Sequence, residues 1–262
     1  MRAVIVLPTY NERENIGTFV RATRRVELPT RAGDDVVLDV LIVDDSSPDG
    51  TAEVARQVAA EVDGAPGSNQ GATTVLVRPG KQGLGSAYRD GFASVLERSG
   101  PDAYDVVISM DADLSHDPQV LPEMLRRLAD GADLVVGSRY VRGGGTTDWP
   151  IRRQLLSKWG NAYTRLVLGL VTHDCTSGYR AYRATALAAV DPGSTGAEGY
   201  AFLTELVRRL TRSGFTVVET PIVFRDRTAG RSKMSGRIIV ESMLLVTQWG
   251  VRDLLRGRRR AR

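Results

Sequence analysis

Five short apolar runs recur in the first half of the chain: AVIVLP at 3–8, VLIVDD at 40–45, TVLVR at 74–78, DVVISM at 105–110 and DLVVGS at 133–138. They are rich in β-branched residues and apolar at consecutive positions, which predicts strands of a parallel sheet covered on both faces. Segments with helical spacing separate them. The first begins at Asn11, where Asn11 and Glu14 have the spacing of a capping box. Others run over roughly 50–62, 84–98 and 117–130; in the last, Asp117 can cap and Pro118 takes the first helical position. This alternation predicts a right-handed, doubly wound α/β fold, a Rossmann-like, mostly parallel sheet flanked by helices. The stretch DGAPGSNQGA at 63–72 reads as a mobile loop without chemistry.

Beyond about residue 140 the pattern changes. RGGGTTDWP leads to an amphipathic helix over about 151–170; DCTSGYRAY follows, then a helix near 199–213, a last strand FTVVETPIVF and a basic helical region over roughly 234–257. No repeat or linker interrupts the chain. We therefore expect one catalytic domain over 1–233 and a basic amphipathic C-terminal appendage over 234–262.

At 262 residues the chain can bury a large core. A single cysteine, Cys175, excludes an internal disulfide and suits a reducing compartment. The apolar run in MRAVIVLPTY is too short for a secretory signal and reads as a first strand. The net charge of +4 is concentrated at the end, where RDLLRGRRRAR holds six arginines and one aspartate. Such a tail suits the phosphates of nucleic acid or lipid, or water alone. WGNAYTRLVLGLVT and IIVESMLLVTQWGV, interrupted by Arg165 and Glu241, fall short of the ~18–20 apolar residues of a spanning helix.

Each conspicuous polar cluster follows a predicted strand: PTYNE, DDSSPDGT, RPGKQGLG, DAD and GSRY. Open α/β sheets bind ligands at that edge. On an extended chain Asp111 and Asp113 face the same way, and paired carboxylates suit Mg2+ or Mn2+. The competing reading, one aspartate as a helix cap and one solvated, is weakened because Asp117 already serves as cap. Asp44 and Asp45 form a second acidic pair, with Asp45 expected to meet a ribose or base while Pro48, Asp49 and Gly50 shape the turn. GKQGLG matches neither the P-loop nor the dinucleotide pattern, but Lys81 lies where it could meet a nucleotide.

The ordered set VLPTYNE, VDDSSPDGT, GLG, MDADLSH, GSRY, TSGYR and FRDRTAGRSK resembles inverting family-2 glycosyltransferases with the GT-A fold. Within them it is most similar to the dolichol- or polyprenol-phosphate mannose synthases, over nearly the whole chain. The resemblance implies GDP-mannose as donor, a polyprenyl monophosphate as acceptor and Mg2+ or Mn2+ as cofactor. Pro8, Tyr10, Glu12 and Asp45 would hold the nucleoside, with Lys81 and Ala112 beside them. Asp111 and Asp113 would hold the metal diphosphate, with Ser115 or a water where some members carry Gln. Arg139, Arg153 and Ser157 would form the acceptor-phosphate site, and Arg227 with Lys233 would close over the reacting phosphates. Asp113, Arg139 and Arg227 are the expected catalytic set. No general base is expected, because a phosphate monoester is already an anion. Arg152, His116 and His173 are read as structural or solvated, and Asp174, Ser177 and Arg180 as shaping the pocket.

IRRQLLSKWGNAYTRLVLGL and SGRIIVESMLLVTQWGVRDLLRGRRR mix aliphatics, tryptophan and cations, as interfacial helices do. Packing on a core gives the same pattern. The expected setting is cytoplasmic, peripheral on the inner face of a membrane, with room for a transmembrane anchoring protein and no nucleic acid. Two alternatives stand beside this reading. One is transfer of glucose or another sugar to the same lipid. The other is a silent nucleotide-sugar-binding subunit, which the retained Asp111, Asp113, Arg139 and Arg227 argue against.

Overall fold

The structure of the chain, a computed structural model, describes residues 1–29, 35–225 and 236–260. Its first half alternates as expected: β1 (Arg2–Thr9), α1 (Arg13–Arg24), β2 (Val37–Asp44), α2 (Thr51–Val62), β3 (Thr73–Val77), α3 (Leu84–Leu96), β4 (Val106–Ser109), α4 (Leu121–Ala129) and β5 (Leu134–Ser138). The second half holds β6 (Gly145–Thr146), α5 (Ile151–Leu168), β7 (Arg180–Arg183), α6 (Ala184–Ala189), α7 (Gly199–Arg212), β8 (Val217–Pro221), β9 (Val223–Phe224) and α8 (Gly236–Arg260). Seven strands form one sheet in the order β3-β2-β1-β4-β7-β5-β8. All neighbours are parallel except at β7, which runs antiparallel to β4 and β5.

Alternate residues of β1 explain the two cores. Val4 and Val6 pack with Phe92 and Phe202 on one face, whereas Ala3, Ile5 and Leu7 pack with Ile16, Phe19 and Leu121 on the other. At Gly91 a Cβ would stand 2.5 Å from Val6 Cγ1, so α3 reaches β1 because that position carries no side chain.

Several expectations need correction. The capping box at Asn11 and Glu14 does not form: α1 starts at Arg13, and Asn11 adopts a left-handed φ of 58°. The first N–H groups, of Asn11, Glu12 and Arg13, donate instead to Ser47 Oγ, Thr51 Oγ1 and Asp49 Oδ2 at 3.0–3.1 Å. The loop after β2 thus supplies the acceptors that a local cap would have supplied. The Asp117 cap does form, with Oδ1 accepting from Gln119 N at 3.0 Å. The 63–72 stretch is tied down, because Asp63 and Asn69 both bind the buried Arg24 guanidinium. FTVVETPIVF is two strands: Val217–Pro221 extends the main sheet, and Val223–Phe224 pairs with β6.

Within the basic C-terminal segment, expected as an appendage, one face of α8 packs against α5 and α7. Val246 and Trp249 are buried, and a Cβ on Gly250 would stand 2.5 Å from Val167 Cγ1 on α5. Asp253 pairs with Arg208 and Arg212 of α7.

Candidate active site

The strand ends converge on a cavity of about 520 Å³. Pro8, Tyr10 and Glu12 enter from the end of β1, Asp45 from β2, Lys81 from beyond β3, and Asp111, Ala112 and Asp113 from β4. The second acidic pair divides its work. Asp44 is buried and accepts from Thr9 Oγ1, Ser47 N and Ser47 Oγ, so it builds the turn. Asp45 lines the cavity and accepts from Arg78 Nε at 2.7 Å and Gln82 N at 3.1 Å. Arg78, which sequence reasoning passed over, also binds Ser86 and Asp90 and so holds the β2 and β3 ends together. A cation at the end of one predicted strand, opposite an acidic pair on the next, was the available signal. Lys81 Nζ sits 4.3 Å from the Tyr10 ring centroid, a cation–π contact on the cavity wall.

Asp111 and Asp113 share this cavity. The Asp111 N–H donates to His116 Nδ1 at 3.1 Å. The His116 ring is buried and stacked on Tyr179 at 5.1 Å. Burial pushes its pKa down despite the nearby Asp111 and Asp113. A neutral ring that accepts at Nδ1 carries its proton on Nε2. His116 therefore supports the Asp111 backbone. Ser115 donates from N at 3.1 Å and from Oγ at 2.6 Å to Asp113 Oδ1, and it lines neither of the two cavities described here. His173 binds Glu219 instead.

Among the described residues, no group of three or more His, Cys, Asp or Glu is placed to hold a metal ion. Two carboxylates on one cavity wall still fit a hard divalent cation, since Mg2+ typically takes one or two protein carboxylates and completes its shell with water and substrate phosphates.

A second, narrower cavity of about 160 Å³ adjoins the first, and Asp111, Ala201 and Ser242 line both. Arg139, Arg153 and Ser157 line it, as does Trp149. Arg139 forms a bidentate pair with Asp174, Nε–Oδ2 2.7 Å and Nη2–Oδ1 2.6 Å, and its N–H adds a third bond to Oδ2. Burial alone would raise the Asp174 pKa; the charge and hydrogen bonds of Arg139 outweigh it and hold the carboxyl below its ordinary value. Ser157 Oγ accepts from the Tyr140 hydroxyl at 2.6 Å. Arg227 and Lys233, expected at the same site, lie outside the described residues.

Antiparallel β7 explains how DCTSGYR reaches the site. Arg180 pairs with Ser109 at the binding edge, so the residues just before it, Thr176, Ser177 and Gly178, line the second cavity. Arg180 itself is structural, buried and bound to the carbonyls of Cys175, Ser177 and Leu203. Helix α8 completes both cavities, with Glu241, Ser242 and Leu245 in the first and Ser242, Met243 and Val246 in the second.

The family model described as Glycosyl transferase family 2 matches residues 4–190. The chain is 42% identical over 254 residues to a polyprenol monophosphomannose synthase of Mycolicibacterium smegmatis, covering 97% of this chain and 89% of that protein. It is 43% identical over 251 residues to an undecaprenyl-phosphate mannosyltransferase of Micrococcus luteus, covering 96% and 95% respectively. Among solved structures, a glucosyl-3-phosphoglycerate synthase from Mycobacterium tuberculosis, in complex with Mn2+, UDP-glucose and phosphoglyceric acid, superposes with a TM-score of 0.60 at 20% identity, covering 95% of this chain and 80% of that one. A mannosyltransferase from Pyrobaculum calidifontis, in complex with GDP-Man and Mn2+, gives 0.58 at 19% identity, covering 97% and 64%. These structures identify the fold as GT-A, and the family match extends through the strands that carry the acidic pairs. The chain belongs to glycosyltransferase family 2.

Proposed function

We propose that the chain transfers mannose from GDP-mannose to a polyprenyl monophosphate, with inversion, at a membrane surface. The observation that carries this reading is the meeting of two unlike cavities at Asp111, one rimmed by carboxylates and Tyr10, the other holding Arg139 and Arg153. The names of the two relatives above support the acceptor and the sugar. The bound GDP-Man of the Pyrobaculum structure supports the nucleotide.

In this reading Pro8, Tyr10, Glu12, Asp45, Lys81 and Ala112 hold the nucleoside and its phosphates, and Asp111 and Asp113 hold Mg2+ or Mn2+. Ser115 fixes Asp113 through their hydrogen bonds. A bound cation would stabilise charge on the departing diphosphate. A lipid phosphate oxygen attacks the anomeric carbon, the bond to GDP breaks, and GDP leaves with the electron pair from the opposite face. An α-linked donor thereby gives a β-linked lipid phosphate. The nucleophile arrives as an anion, so it needs alignment and charge screening more than a base. Arg153, Ser157 and the Asp174-braced Arg139 supply these, joined by Arg227 and Lys233.

The lipid needs an apolar exit. Leu156 and Trp159 of α5 line the second cavity and are also exposed. Around them lie exposed Ile151, Leu155 and Leu166, interleaved with exposed Arg152, Lys158 and Arg165. Val240, Leu244, Val251, Leu254 and Leu255 are exposed on the neighbouring α8. No helix among the described residues is long and apolar enough to cross a membrane. We assign this face to the lipid–water interface. The double change Leu155→Glu with Leu244→Glu should cut turnover of a long-chain polyprenyl phosphate in anionic vesicles by at least about tenfold. Turnover of a water-soluble, short-chain polyprenyl phosphate should change less than about twofold. Equal effects on the two acceptors, or none on the vesicle substrate, would contradict the membrane assignment.

A further inference from the structure

Trp149 stands in the connection between β6 and α5, directly before Pro150, and it is 7% exposed. Two guanidinium groups rest near its ring. The Arg153 guanidinium carbon lies 3.8 Å from the ring centroid, and that of Arg139 lies 5.4 Å away. Phe224 meets the same ring edge-on at 5.3 Å, which fixes its orientation from a different strand. Two cations lining one cavity thus contact one aromatic ring.

The indole N–H is informative in another way. Trp149 Nε1 is buried and has no hydrogen-bond partner among the described residues. A buried unpaired donor is destabilising, and most buried tryptophans avoid it. If the position only needed an apolar ring to fill space, Phe would serve without the orphaned donor. What Trp offers beyond Phe is the stronger π face for a cation.

We infer that Trp149 is a positioning residue for the acceptor phosphate, holding the Arg139 and Arg153 guanidiniums together so that both meet one anion. The inference rests on the proposed function, since it takes Arg139 and Arg153 as phosphate ligands. Like charges brought to one place repel each other. Asp174 orients Arg139 through its bidentate pair, and the Trp149 face adds a cation–π contact to Arg153. Pre-assembly of the pair removes ordering from the binding step. Trp149 is not among the residues that line the first cavity, so its loss should leave the donor untouched.

The test uses the full chain, GDP-mannose and farnesyl monophosphate as a soluble polyprenyl phosphate. Trp149→Phe should raise the acceptor KM about three- to tenfold, and Trp149→Leu about ten- to thirtyfold. The donor KM should stay within about twofold of wild type for both. The thermal midpoint of Trp149→Phe should equal or exceed that of wild type, because the orphaned N–H is gone. A merely structural tryptophan predicts the opposite, a lower midpoint with donor and acceptor affinity falling together. That outcome, or an unchanged acceptor KM in Trp149→Phe, would overturn the inference alone. A wild-type enzyme that uses no polyprenyl phosphate would overturn the proposed function and this inference with it.

Discussion

Asp113→Asn should lower turnover by at least about a hundredfold while the chain stays folded. Asparagine keeps the shape of the side chain and still offers a carbonyl oxygen to the Ser115 N–H and hydroxyl, which donate to Asp113 Oδ1 now. What disappears is one negative charge on the wall shared with Asp111. A hard divalent cation is held more strongly by an anionic carboxylate oxygen than by a neutral amide oxygen. Asp117→Asn provides the contrast, since that side chain caps the turn at Gln119 and asparagine caps equally well. The check is initial rate against Mg2+ and Mn2+ concentration, with Mn2+ binding to each variant measured in parallel. A wild-type rate for Asp113→Asn at saturating metal would rule out the proposed role of Asp113 as a metal ligand.

Asp174→Asn should destabilise the fold by roughly 3–5 kcal/mol at neutral pH, because it takes the carboxylate charge away from its buried bidentate pair with Arg139. Arg139 presents Nε, Nη2 and its backbone N–H to this one carboxylate, and both side chains are nearly inaccessible to solvent. The sign of the pH dependence follows from the depressed carboxyl. Its stabilisation is complete above the ordinary value of 3.8 and is lost as pH falls through the lower folded-state value. The difference between wild type and Asp174→Asn in urea unfolding should therefore hold from pH 7 to about pH 5 and shrink below about pH 4. A difference independent of pH down to acid unfolding would show that the pair contributes by shape and not by charge.

The contrast between what the chain disclosed early and late has physical causes. β1, β2, β4 and β5 are legible because each is a consecutive apolar run buried in the sheet, and the half-exposed edge strand β3 is legible from its β-branched residues. β7 is not, because RAYR begins and ends with arginine, and a fully buried Arg180 looks like a loop residue until its three carbonyl partners are seen. The missed cap of α1 is similar: its acceptors lie 36–39 residues away, so no local pattern could show them. The carboxylates of the site could be read because they follow strands directly. Tyr140 and Trp149 could not, since each works through a partner that folding brings near. In α8 the arginines of the tail dominate the charge reading and mask Val246 and Trp249, which pin the helix to the body.

The identity of the product tests the proposed function most directly. The full chain is incubated with Mg2+ or Mn2+, a short-chain polyprenyl monophosphate, and GDP-mannose, GDP-glucose, UDP-glucose or UDP-N-acetylglucosamine in separate reactions. Lipid products are read by mass and their anomeric configuration by NMR. The account predicts a single efficient reaction, with GDP-mannose, giving a β-linked mannosyl lipid phosphate and one GDP per product. Efficient product from UDP-glucose with none from GDP-mannose, or donor consumption with no sugar on the lipid phosphate, would contradict it.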